Sequence, residues 1–385
     1  MKRFNYFSSI LMMVCFSMAF TACNKDNTTP EDDGLKGIVT EDMTLEADQT
    51  YYLSGSLQVK APATLTIKEG ARLVAKNNGE VIYILIEQGA KIDAQGTAEN
   101  PIVMTAEKEQ EGAWGGLHIC GKAHTNLGAN GGMSEIGNAP YGGNDDDDNS
   151  GTLKYVRLEY TGYAFDDEHE SNGISLYGVG SGTTISYVQT YIGSDDGIEF
   201  FGGSVNVDHC VVVNCTDDSF DWTEGWNGTA HHLVAYQSDP TCDCLMECDN
   251  NGDNAAATPV SKPDLEYVTL IGNGETSENQ RGIRLRAGTN VILDNAVITG
   301  KAYTVNVETV QTDAYLEANK TTALTNITMT GSFRNENDGA TYTAEDFAAA
   351  AGNSANATVE VTDRYYTAGK GAFETSTDWT KGWTR

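Results

Sequence analysis

The chain has 385 residues, 55 acidic against 24 basic, with a formal net charge of −31 and 41 glycines. A surface this acidic repels nucleic acid and lacks the basic patches that such binding needs, so cations or uncharged ligands are the expected partners. The length suits two or three ordinary domains, so internal repeats have to be read before length is used.

The first element is a leader. Lys2 and Arg3 precede an apolar stretch from Ile10 to Phe20, too short to cross a bilayer as a helix, so residues 1–22 read as a secretory signal. The Thr21-Ala22-Cys23 ending resembles the bacterial lipobox, with Phe20 in place of the usual aliphatic residue; the resemblance implies cleavage before Cys23 and lipidation of its thiol. Residues 23–38 follow as an acidic tether. Between Asn24 and Gly34 there is no large apolar residue, so this stretch cannot bury enough surface to fold. Its Lys25-Asp26 resembles the surface-export signal of Bacteroidetes lipoproteins. That implies an outer-membrane lipid anchor at the cell surface, with the membrane as one partner and an outer-membrane transporter as a candidate second.

Residues 39–385 form the body, and repeats organise it. Ile67-Lys-Glu-Gly-Ala-Arg-Leu-Val-Ala75 recurs as Ile86-Glu-Gln-Gly-Ala-Lys-Ile-Asp-Ala94, apolar residues alternating with polar ones around a Gly turn. Ser194-Asp-Asp-Gly-Ile-Glu-Phe200 matches Thr216-Asp-Asp-Ser-Phe-Asp-Trp222, and Tyr187-Val188 and His209-Cys210 keep the same spacing. His232-Leu233 and Tyr267-Val268 begin comparable strands. Short strands repeating around Gly, Asn and Asp turns predict an all-β, right-handed, single-stranded parallel β-helix with projecting loops, of roughly a dozen coils. A β-sandwich gives no reason for matching residues on every coil. The one amphipathic helix expected lies near Thr343–Ala351, with Thr343 as its cap.

Gly112-Ala-Trp-Gly-Gly-Leu117, Gly121-Lys-Ala123, Tyr141-Gly-Gly-Asn-Asp145, Asp148-Asn-Ser-Gly151, Leu153-Lys-Tyr-Val-Arg-Leu-Glu-Tyr160, Gly178-Val-Gly-Ser-Gly-Thr183 and the closing Asp378-Trp-Thr-Lys-Gly-Trp383 resemble a widespread family of bacterial β-helix surface lipoproteins. The resemblance covers nearly all the mature chain and implies a pectin-lyase-like solenoid at the cell surface. It implies no particular activity.

On neighbouring coils the matched repeat sets Asp195 beside Asp217, Asp196 beside Asp218 and Glu199 beside Asp221. Six carboxylates at about 5 Å spacing repel unless some protonate or a cation lies among them, and oxygen ligands in this number suit Ca²⁺. The alternative is that each Asp caps its own turn. Asp145–Asp148, with Asp166-Asp-Glu168 and Glu170, forms a second acidic loop region, read as solvated or as a further Ca²⁺ site.

Asp221-Trp-Thr-Glu-Gly-Trp226 recurs as Asp378-Trp-Thr-Lys-Gly-Trp383. Alternation puts Phe200 and Trp222 in one buried row, leaving Trp226, with Glu224, as the candidate ligand-binding pair. Trp379 and Trp383 are expected to cap the open end of the solenoid. Six cysteines remain beyond Cys15 and Cys23, and their spacing favours local disulfides or free thiols over zinc. The order of Asp196, Asp217, Asp218, His232 and Arg284 is similar to that of polygalacturonase-like glycosidases, although their Gly-His-Gly and Arg-Ile-Lys motifs are not reproduced. Arg281, Arg284 and Arg286 suit either a lyase base or ion pairs with nearby carboxylates. The expected function is ligand capture, of a glycan or other nutrient, on a Ca²⁺-stabilised surface. A polysaccharide hydrolase or lyase, and a structural or adhesive protein, are the alternatives.

Overall fold

The computed structural model describes residues 34–128, 130–164, 170–275 and 279–385. The leader, Cys23 and the tether up to residue 33 lie outside the described residues, as do Asp166, Asp167 and Glu168.

Parallel pairing joins 23 strands into one sheet wound around an axis, the predicted right-handed β-helix. Three rows of strands make its faces. Row one stacks Leu117–Cys120, Ile174–Tyr177, Ile198–Phe201, Phe220–Thr223, Met246–Cys248, Arg281–Leu285, Tyr303–Val307 and Ser332–Asn335. Rows two and three are separate strands in the first coils, such as Lys91–Gln95 and Ile102–Ala106, and from there on the two halves of longer strands, among them Gly151–Glu159, Thr184–Gly193, Asn206–Cys215, Thr229–Tyr236 and Asp264–Ile271.

Each long strand turns its corner on one residue. Tyr155, Tyr187, His209, His232, Tyr267, Asn295 and Asn326 all have φ between 49° and 61°. A single left-handed residue swings the chain from one face to the next without a loop, and it lets the residues before and after it both point inward. Hence Leu153, Ile185, Val207, Ala230 and Leu265 stack on one side of the corner, and Val156, Val188, Cys210, Leu233 and Val268 on the other, all buried. The corner rings project outward and stack on each other. Tyr155–Tyr187, Tyr187–His209, His209–His232 and His232–Tyr267 have centroids 4.4, 4.4, 4.2 and 5.2 Å apart.

Coil length varies. Thr184 pairs with Asn206, the predicted spacing, but Thr152 pairs with Thr184 and Thr229 with Asp264, because loops of unequal length leave the same three rows. The Ile67 and Ile86 segments are not equivalent positions on two coils, since Ile67 pairs with Ala94. They are different corners that share a Gly-Ala turn, one joining Thr64–Lys68 to Arg72–Ala75 and the other Ile84–Ile86 to Lys91–Gln95. The body also starts at Leu35 rather than at residue 39, since Leu35–Val39 pairs with Thr50–Val59.

Cys120, Cys210, Cys215, Cys242, Cys244 and Cys248 are all buried free thiols. Helix Ala344–Ala349 has the predicted cap, a reciprocal pair between Thr343 and Asp346. Its Phe347 stacks on Phe333 of the last row-one strand at 5.2 Å and covers that end of the solenoid.

Trp379 and Trp383 therefore do not cap the end. The segment 361–385 runs back along the side wall as a strap over the corner rings. Trp383, fully buried, meets Tyr155 and Tyr187 edge to face at 5.7 and 6.0 Å, and Trp379 meets His209 at 4.6 Å. Polar contacts fasten it along its length. The Ala372 N–H donates to Thr269 Oγ1 at 3.0 Å, the Arg385 N–H to Gln189 Oε1 at 2.8 Å, and Arg385 Nη1 to the buried Glu159 at 3.0 Å.

Trp383→Ala removes the strap's largest buried side chain and is expected to cost about 3–5 kcal/mol. Urea unfolding measures the loss. Limited proteolysis of the variant should cut within 361–385 while the far-ultraviolet circular dichroism of the coils is retained; an uncut strap would contradict its assigned anchor.

Candidate functional site

Row one carries the predicted ladder. Inward, Phe200 stands beside Trp222 and Ile198 beside Phe220. Outward, strand register sets His118, Ser175, Glu199, Asp221, Glu247, Arg284, Asn306 and Arg334 in one line across successive coils. The turn entering row one supplies Asp195-Asp196 on one coil, Asp217-Asp218 on the next and Asp243-Cys244 on the third.

The six predicted carboxylates come together in overlapping groups. Asp196, Glu199 and Asp221 offer oxygens within 4.8 Å of one another; so do Asp196, Asp217 and Asp218, and so do Glu170, Asp195 and Asp217. Two of the six also hold the turn of the next coil. Asp196 Oδ1 accepts the Asp218 N–H at 2.8 Å, and Asp218 Oδ1 accepts the Cys244 N–H at 2.6 Å, each tying one coil to the next. One oxygen of each is thus taken by a turn, but by the next coil's turn rather than its own. Asn172 Nδ2 donates to Glu199 Oε2 at 2.6 Å, while Asp221 Oδ1 is sealed from solvent with no hydrogen-bond partner.

Enclosure and mutual repulsion raise the proton affinity of this group. Asp196, Glu199, Asp218 and Asp221 are all pushed well above the usual carboxylate range, first by burial and then by neighbouring acids. Asp195 is pushed up to about 7, by burial and then by Asp217. Asp217 reaches solvent. The residues present fit a hard divalent cation, which needs several carboxylate oxygens that no other donor claims.

Further along the line, cations of the protein itself balance the acids. Arg284 bridges Glu247 and Glu308, Arg286 reaches Glu247 at 2.8 Å and Asp249 at 2.7 Å, and Arg281 reaches Glu308 at 3.1 Å. The arginines are thus ion-pair partners. The unbalanced stretch is confined to the coils of Glu199 and Asp221.

A projecting loop with the hairpin pair Gly132–Met133 and Pro140–Tyr141 folds over the neighbouring part of row one. Its Tyr141 packs on Tyr177 at 5.0 Å, Tyr177 stacks on Phe201 at 4.4 Å, and with Ile136 and Ala139 they form a second, outer apolar core. Tyr141 Oη donates to Glu224 at 3.0 and 2.9 Å. Glu224 is therefore a partner of the loop, at the edge of the site.

Two expected site residues are elsewhere. Trp226 is buried, stacked on Phe200 at 3.8 Å, and donates Nε1–H to Val205 O; it packs the core because the turn at Gly225 folds it back under row one. His232 is a corner residue under the strap, hydrogen-bonded to Asp208 at 2.9 Å, and is not in the acidic line. Of the second acidic region, Asp146 pairs with His124 and Asp148 accepts the Lys122 N–H, while Glu170 joins the main cluster instead. Glu247 and Asp243 were missed because the coil before them is longer than the repeat. His118 was missed too: it is fully buried, its pKa pushed down to about 4 by burial, and its Nδ1 has no hydrogen-bond partner.

A family model described as a pectate-lyase like beta helix domain matches residues 37–384. No curated protein and no solved structure matches the chain.

Glu224 supplies a test of the site's edge. Burial raises its pKa from 4.5 to about 7, against the Tyr141 hydrogen bond, which lowers it. Across that interval the folded protein keeps a proton that the unfolded chain releases, so stability falls as pH rises from about 4.5 to 7. Glu224→Gln should flatten that fall by up to a few kcal/mol in melts across the interval; parallel slopes for the two proteins would refute the assignment.

Proposed function

Because the chain belongs to the family of pectate-lyase-like β-helix domains, which supports a polysaccharide-related or structural role, we propose that it is a surface-anchored capture module. It takes a glycan or another nutrient on row one beside a Ca²⁺ ion. Lipid at Cys23 holds it to the outer membrane, with the acidic tether as spacer and a transporter as the partner that receives the ligand.

The observation that carries this reading is the unbalanced carboxylate group of Asp196, Glu199 and Asp221, with the sealed, unpartnered Asp221 Oδ1. Asp195, Asp217 and Asp218 complete the donor set on the same two coils. When bound, Ca²⁺ supplies positive charge and open coordination positions for hydroxyl or carboxylate oxygens of a sugar. The protein's own part is to hold the carboxylates in place. Asn172 orients Glu199, and the coil-to-coil hydrogen bonds from Asp196 and Asp218 set the spacing.

Hydrolysis on the same row is a weaker reading. Asp195, held near 7, is a suitable proton donor. Asp195 and Asp217 oxygens approach within 4.8 Å, too close for an inverting glycosidase, which spaces its carboxyls about 6.5–9.5 Å apart to admit water, and nearer the roughly 5–5.5 Å of a retaining one. One oxygen each of Asp196 and Asp218 is taken by the next coil's backbone, and His232 is not in the line.

After EGTA treatment, adding Ca²⁺ should raise the melting temperature of the wild type, by about 2.7 kcal/mol of stability at a hundredfold excess over Kd. Asp221→Asn with Glu199→Gln should melt higher than wild type without Ca²⁺, since repulsion is relieved, and should lose the response. No response in the wild type sinks the Ca²⁺ assignment. On a glycan panel, capture predicts Ca²⁺-dependent retention with the glycan recovered intact; new reducing ends or unsaturated products would establish catalysis instead.

A further inference from the structure

On the side wall, far from the acidic line in function and chemistry, two histidines converge on one carboxylate. His209 Nδ1 lies 2.7 Å from Asp208 Oδ2, and His232 Nδ1 lies 2.9 Å from Asp208 Oδ1. The two rings are stacked, 4.2 Å apart and 21° from parallel, with both Nδ1 atoms on the Asp208 side. His209 Nδ1 is sealed from solvent and faces only this carboxylate. On its other side His232 presents Nε2 to Glu374 of the strap at 3.6 Å, and the edge of Trp379 packs on His209.

We propose that Asp208, His209 and His232 form a binding site for a borderline divalent transition metal ion of the Zn²⁺ class. The donor set of two imidazoles and a carboxylate suits Zn²⁺ and is a poor match for Ca²⁺, which prefers oxygen. Tetrahedral ligand atoms each about 2.1 Å from one ion lie about 3.4 Å apart, so the nitrogen–oxygen separations of 2.7 and 2.9 Å open slightly to admit it. All three donor atoms lie within 4.8 Å of one another, so modest ring rotation brings them onto a common ion.

Glu374 is the second observation. A metal-ligating histidine donates its other ring N–H to a carboxylate, which fixes the tautomer and raises the ligand's basicity. His232 has that arrangement ready: Nδ1 towards the donor group, Nε2 towards Glu374. The carboxylate comes from the strap, so an ion at this site would join the strap to the coils.

The corner ladder supplies a fold-neutral control. Tyr occupies the same corner at 155, 187 and 267, with the same positive φ, so His209→Tyr and His232→Tyr keep a ring in the stack. The purified protein, stripped with EDTA and held in excess Ca²⁺ to fill the acidic line, is titrated with ZnCl₂ by calorimetry and with CoCl₂ by visible absorption. The proposal expects one equivalent of Zn²⁺ and a Co²⁺ spectrum with nitrogen-ligand bands. Both should be lost in His209→Tyr/His232→Tyr, whose far-ultraviolet circular dichroism in EDTA stays that of wild type, and kept in Asp221→Asn. Glu374→Gln should weaken Zn²⁺ binding about 10- to 100-fold. No binding by the wild type, or equal binding by the double Tyr variant, overturns the proposal.

Discussion

In a parallel β-helix each residue stands in register above its equivalent on the coil before, about 4.8 Å away, so like is laid upon like. Every feature of this molecule follows from whether such a pairing is favourable. Apolar residues gain from it, as in the inner line from Ile198 through Phe220 to Met246. Aromatic corners gain from it as well, and give the ring ladder from Tyr155 to Tyr267. Carboxylates lose, and the outer line of Glu199, Asp221 and Glu247 shows how the loss is met: by direct arginine ion pairs from Glu247 onward, and at Asp221 only in part, its Oδ1 being left without a hydrogen-bond partner.

That same rule explains what could be read in the residues alone. Where one coil follows another without an intervening loop, as between Ser194 and Trp222, matching letters reveal both the register and the acidic ladder. Where loops intervene the register is lost to the eye: Asp221 and Glu247 are neighbours in space, but no repeat marks them as such. Side chains whose place depends on a turn were the harder part. Trp226 has the spacing of a surface platform, yet Gly225 (φ 88°) turns it inward, and a single residue's backbone angle leaves no periodic trace. His232-Leu233 marks the correct strand, but the left-handed corner that points His232 away from row one leaves no trace in the alternation. Helix Val310–Leu316, which lacks a side-chain cap, offered no start signal, whereas Thr343 and Asp346 announced theirs.

The projecting loop and the strap divide the outer surface between them. The loop adds an apolar layer of Tyr141, Tyr177 and Phe201 over one part of row one, beside an acidic stretch that is itself mostly buried and reaches solvent at Asp217. The strap closes the corner between rows two and three, where the stacked rings would otherwise be a long exposed aromatic patch. Both additions use the coil scaffold as a fixed ruler, and neither disturbs the inner stacks.

A solenoid's coils touch only their immediate neighbours, so its stability is close to a sum of local terms and its ends can fray independently of its middle. The strap changes that arithmetic. Arg385 binds Gln189, and Ala372 binds Thr269, so the last residues of the chain are fastened to coils laid down far earlier. Melting of the final coils cannot then proceed as a private event, because the strap that leaves them is anchored upstream. The molecule is in effect a one-dimensional stack with a long-range tie, and its unfolding acquires the cooperativity of a globular domain.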